Sequence, residues 1–190
     1  MQANKLKVLA AAVAMALPLA ANAESNIALT PPTGTMTTNA RVNINVVIPR
    51  FLFLQVGTGT LLANNAAIDT VTFNVPVANV GDGTPVTGTG GNLTNGQVTV
   101  RLIGNVGDVN LGATAALLTN GTGETIPWSQ INVATAGGAT HPTIGGTAAS
   151  FTATARVVNV NGSWTYGYLN NATPAEGTYS SQITYTATSL

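Results

Sequence analysis

The chain has no cysteine, a single histidine, and only six basic and six acidic residues among 190. Without cysteine there is no disulfide framework, thiolate zinc site, iron–sulfur cluster or cysteine nucleophile. The charged fraction is 6%, against roughly 25% in an average globular protein, so polar character rests on uncharged side chains. Aromatic residues make up 5%, too few for the aromatic girdles of an outer-membrane β-barrel, which stands third among the readings of this chain. No apolar run reaches the roughly 20 residues that a transmembrane helix needs; the longest, Val8 to Ala20, carries Pro18.

That run sits in the pattern of a signal peptide over residues 1–23. Lys5 and Lys7 form a basic start, the apolar stretch follows, and Ala21-Asn22-Ala23 supplies small residues for cleavage. Export through the inner membrane to the extracellular side is therefore expected, with no membrane span once the signal is removed. Cleavage would take both lysines, leaving Arg41, Arg50, Arg101 and Arg156 against six acids, a formal charge of −2. Four dispersed cations make no footprint for nucleic acid or anionic lipid, which are held by Lys/Arg clusters.

What the chain does have is 30 threonines, 21 glycines and 20 asparagines. Apolar residues recur with period two, the signature of a strand with one buried and one wet face. Val42, Ile44, Val46 and Ile48 alternate with Arg41, Asn43 and Asn45; Val71, Phe73, Val75 and Val77 form a second set, and Val98, Val100 and Leu102 a third. Further strands are expected at 51–56, 130–134, 151–160, 164–169 and 178–187. Turns are expected at Gly81-Asp82-Gly83, Gly88 to Gly91, Asn95-Gly96, Asn120-Gly121, Gly137-Gly138, Gly145-Gly146 and Asn161-Gly162, because Gly and Asn tolerate positive φ. Short helical turns are expected at most at 63–68 and 112–118. Eight or nine short strands with glycine turns predict an all-β, antiparallel, immunoglobulin-like sandwich. It is expected to be one domain over 41–190, preceded by an N-terminal extension, 24–40, marked by Pro31-Pro32 and Gly34.

The chemical inventory is thin. General acid–base work needs a group that titrates near the operating pH, and His141, before Pro142 in a glycine-rich stretch, reads as an exposed loop histidine. No second histidine or acid lies within fifteen residues of it, so it has no local partner for a metal. Asp69, Asp82, Asp108, Glu124 and Glu176 are scattered and read as turn residues. Gly81-Asp82-Gly83 lacks the several acids of a calcium loop, and Gly88-Thr89-Gly90-Gly91 lacks the lysine and helix of a phosphate cradle. The expectation is no enzyme, no cofactor and no metal. Trp164, Tyr166 and Tyr168 share a strand face; they read first as core, and otherwise as a sugar-stacking platform, which would make the chain a secreted carbohydrate- or matrix-binding module.

The two ends of the mature chain carry a resemblance. The C-terminal segment Gly177-Thr-Tyr-Ser-Ser-Gln-Ile-Thr-Tyr-Thr-Ala-Thr-Ser-Leu190 places Tyr179, Ile183, Tyr185 and Ala187 on one face. It resembles the closing strand of chaperone–usher pilins. Val42-Asn-Ile-Asn-Val-Val-Ile-Pro49 followed by Phe51-Leu-Phe-Leu-Gln55 is similar to the opening of the disulfide-free fimbrial subunits. The resemblance implies a pilin-like sandwich lacking its last strand, which a neighbour's N-terminal strand supplies by β-strand addition. Its implied partners are further copies of the chain in a homopolymer, a periplasmic chaperone and an outer-membrane usher. The implied donor knobs are Val42, Ile44, Val46 and Ile48, or alternatively Ile27 and Leu29 in 25–30, and Tyr179, Ile183 and Tyr185 would line the groove. The extension at 24–40 and Ser189, in place of a penultimate tyrosine, depart from that pattern.

Overall fold

A computed structural model describes residues 25–29 and 33–190; the signal-peptide expectation at 1–23 lies outside the described residues. The chain divides into two compact units at Ile48/Pro49, and the first strand of the second unit starts at Leu52.

Pro49–Leu190 is built from twelve strands and two 3-10 turns. The larger sheet runs β1 (Leu52–Val56), β5 (Gln97–Gly104), β11 (Val158–Tyr168), β9 (Ile131–Ala136), all antiparallel. β3 (Val86–Thr87) extends the β5 side of β11 at Gly167 and Tyr168. In the smaller sheet, β6 (Val109–Thr114) lies between β10 (Ala149–Phe151) and β12 (Thr184–Ser189). β2 (Val71–Thr72) pairs β4 (Thr89–Gly90), and β7 (Leu118–Thr119) pairs β8 (Thr125–Ile126). One hydrophobic cluster joins both sheets: Val98, Val100 and Leu102 from β5, Val109 and Leu111 from β6, Val158, Trp164 and Tyr166 from β11. Strands in open sheets around a packed interior make this the expected all-β antiparallel sandwich, not a closed ring. Each fully buried Val or Leu contributes roughly 1.5–3 kcal/mol, which is how a chain without staples holds together.

Several local expectations are corrected. Asn161-Gly162 is not a turn: both lie inside β11, where a Cβ on Gly162 would meet the Ala136 carbonyl and the Ala139 side chain. Glycine is there to let two backbones approach. The turn lies earlier, at Ala155 (φ 49°) and Arg156 (φ 70°), closed by paired main-chain bonds between Thr154 and Val157. The stretch 112–118 is not helical either, since β6 occupies its first half, and 63–68 holds no helix. Of the 71–77 alternation only Val71–Thr72 forms a ladder. Turns do occur at Gly81 and Gly83, Asn95-Gly96, Gly121 and Gly137-Gly138, all at positive φ.

The N-terminal unit, over its described residues, contains no strand. Its chain is locally tied where the Thr38 hydroxyl donates to the Asn26 carbonyl at 3.0 Å. The alternating residues Val42, Ile44, Val46 and Ile48 are exposed, between 77% and 83% of their surface, as are Ile27 and Leu29.

Candidate functional site: a groove between two free edges

Among the described residues, β1 and β12 are two of the edge strands that pair on one side only, and these two flank one groove. β1 pairs only with β5, in the register Leu52↔Gly104 to Val56↔Val100. β12 pairs only with β6, from Thr184↔Thr114 to Ser189↔Val109. Between them opens a groove of about 330 Å³ lined by Phe53, Leu54 and Val56 on one wall and Ile183 and Tyr185 on the other. Alternation explains the walls. On β12 the even-numbered threonines 184, 186 and 188 face water, while Tyr185 and Ala187 turn toward the core. These inward residues, with Leu52, Leu54, Val56 and Ile183, pack on the core yet stay only half-buried. A seam of apolar side chains and unpaired main-chain groups is thus left open, a template for another strand.

The rim is held by polar contacts. The Arg50 guanidinium donates to the Ser189 hydroxyl at 3.1 Å, joining the start of β1 to the end of β12. Gln55 is buried; its amide donates to the carbonyls of Gly57 and Gly59 and its oxygen accepts from Arg101. This folds residues 57–60 beside the groove. Asp69 secures the same loop by accepting from the Thr58 amide and hydroxyl. Among the described residues, no charged side chain lines the groove.

Tyr179, expected on the groove wall, is not there. β12 begins at Thr184, because residues before it are drawn to the β7–β8 ribbon: Ser180 bridges Thr119, and the Ser181 hydroxyl donates to the Ala116 carbonyl. Tyr179 instead donates to Ala175 at 2.9 Å. Ile183 and Tyr185 do line the groove. Trp164, Tyr166 and Tyr168 are 0%, 8% and 5% exposed, so none offers a ring face to a sugar. Their side of β11 is the inner one.

His141 is also displaced from its expected place. It is half-buried rather than exposed, with Trp164, Tyr185 and Tyr166 ring centroids at 4.5, 5.5 and 6.0 Å. Its Nε2 lies 2.8 Å from the Tyr185 hydroxyl, which lies 2.7 Å from that of Tyr166. Burial lowers the imidazole to about 4, against a weaker opposite pull from the Pro142 main chain. Burial pushes the Tyr166 hydroxyl up to about 12 and that of Tyr185 further. All three are neutral near pH 7 and act as hydrogen-bonding groups rather than acids or bases. Nothing in the local sequence Gly-Ala-Thr-His-Pro signals this enclosure, which arises from loop 137–147 crossing between the sheets.

Asp82 is a turn anchor: hydrogen bonds from the Asn79 side chain and Thr84 hold its carboxyl below the ordinary carboxylate range. Buried Asn170 closes the same turn, accepting from the Gly81 amide and donating to the Asn79 carbonyl. Asp108 caps a loop by accepting from the Ala153 amide. Among known proteins, no family model, no curated protein and no solved structure matches this chain.

Proposed function

We propose that this chain is a secreted structural subunit of a bacterial surface fibre, assembled when residues 42–48 of one copy add as a strand to the groove of the next. The observation that carries the reading is the half-buried apolar seam between β1 and β12, in a chain that also carries an exposed alternating segment of matching size. At about 3.3 Å per residue, 42–48 spans roughly 23 Å, enough to run the length of β12. Val42, Ile44, Val46 and Ile48 would face the seam and Asn43 and Asn45 would face water. Both partners are uncharged, so affinity would come from main-chain bonds and apolar knobs. Segment 25–29 offers only Ile27 and Leu29 on one face, half the number of knobs. Before assembly such a seam needs cover, a role for a periplasmic chaperone, with an outer-membrane usher receiving the subunit.

The test is gel migration of the purified mature protein, unboiled against boiled, with light scattering. A ladder of multiples that collapses to the monomer only on boiling is the expected result, and deletion of residues 24–48 should abolish it. A single monomeric species under both conditions would overturn the reading.

A further inference from the structure

The only histidine of the chain stands behind one wall of the groove, and its contacts form a chain: Tyr166 hydroxyl, Tyr185 hydroxyl, His141 Nε2, at 2.7 and 2.8 Å. The neutral ring carries one proton and one free lone pair; with the proton on Nδ1, Nε2 accepts from the Tyr185 hydroxyl. Tyr185 in turn accepts from Tyr166. A proton on Nε2 reverses this order: His141 must donate to Tyr185, Tyr185 to Tyr166, and the Tyr166 hydroxyl proton is left without its acceptor in a buried place. Among the described residues the new positive charge also meets no carboxylate from the elements packed against it. Facing it are Trp164 and Tyr166 of β11 and Tyr185 of β12; β6, β10 and loop 137–147 carry no other titratable residue. Arg101 of β5 is engaged with Gln55 and Asn161. A buried unpaired charge is expelled rather than held, and the ring can leave only by giving up Tyr185, a residue of the groove wall.

We propose that His141 is a proton-operated latch on the groove, and that protonating it frees β12 and weakens the grip on an added strand. The effect on strand binding rests on the fibre reading above; the loosening of β12 belongs to a single subunit and can be measured without it.

The test uses the full mature chain and mass spectrometry. Exchange at the histidine C2 carbon reports the protonation of the one imidazole, and amide exchange of residues 183–187 is compared with that of 98–102 at pH 7 and pH 4, in wild type and His141→Gln. The expected results are an imidazole midpoint well below 6.5, and at pH 4 exchange in 183–187 about tenfold faster in wild type than in the variant. At pH 7 the two proteins should agree, and 98–102 should not differ at either pH. His141→Phe, which keeps a ring between the tyrosines, replaces the glutamine variant if that fails to fold. An imidazole midpoint near 6.5, or equal exchange of 183–187 in wild type and variant at pH 4, overturns the latch. Gel ladders run alongside should weaken at pH 4 in wild type and persist in the variant. A chain without a ladder at pH 7 removes the fibre reading, while the exchange comparison still decides the latch.

Discussion

Val98, Val100 and Leu102 in β5 and Val42, Ile44 and Val46 in the N-terminal segment carry the same alternation, yet the first three are 0–4% exposed and the second three 77–83%. Their residue types are nearly interchangeable. The difference lies in the partners: β5 has β1 on one side and β11 on the other, while 42–48 belongs to no ladder. An alternating pattern encodes a strand with one apolar face, and it leaves open which edge receives it. Exposed apolar alternation in an otherwise well-packed chain is a cost that a monomer gains nothing from, which is why the free seam between β1 and β12 matters.

Substitutions can sharpen this contrast. Trp164→Ala, at the centre of the shared core, should lower unfolding free energy by about 3–5 kcal/mol, measured in urea; Ile44→Ala should leave the same transition of the monomer within about 0.5 kcal/mol. If Ile44→Ala proves as costly as a core truncation, 42–48 is part of its own subunit's core and the contrast collapses. For assembly the order reverses. If copies join through 42–48 as proposed, Ile44→Asp should reduce the multimer ladder at least about tenfold, because a carboxylate would have to be buried in an uncharged seam, with monomer stability unchanged. Within the sandwich, Gly162→Ala should cost roughly 1–3 kcal/mol through its clash with the Ala136 carbonyl. Gly112→Ala, whose Cβ would meet only the Thr186 carbonyl at 4.0 Å, an ordinary contact, should be nearly neutral in the same urea experiment.

Acid should separate the two regions as well. The folded-state pKa of His141 lies below its unfolded value of 6.5, near 4, so the unfolded chain binds the extra proton between those values. Its contribution to stability is therefore complete above pH 6.5 and is lost as pH falls toward 4, by about 1 kcal/mol after discounting for its partial exposure. Comparing wild type with His141→Gln across that range in urea isolates this loss from carboxylate titration. The smallest effect expected is that of salt: with no charge on either the seam or residues 42–48, the ladder should be unchanged from about 0.05 to 1 M salt. A steep salt dependence would mean that ion pairs outside the seam hold the copies together.

Much of the site was legible residue by residue. Period two puts Tyr179, Ile183, Tyr185 and Ala187 on one face and predicts a strand over 51–56; Ile183, Tyr185 and that strand line the groove. The pattern carries no sign of the loop at 57–67 that forms the rim or of the enclosure of His141 between Trp164, Tyr166 and Tyr185. Both depend on contacts between residues distant in sequence: Asp69 reaching Thr58, and a loop passing between two sheets. Tyr179 failed because the same alternation that extends it onto β12 is interrupted by Ser180 pairing with Thr119, a competition that local pattern does not contain.

Period two, scarce charge and glycine-marked turns already specify an all-β chain with alternating faces, because side-chain direction and positive-φ tolerance are local properties. Long-range pairing settles that Asn161-Gly162 runs through a strand while Ala155-Arg156 turns, that β6 is the centre of the second sheet, and that β1 and β12 face each other unpaired among the described residues. Those outcomes follow from which edges meet and which backbones must pass closely, and no residue carries that information alone.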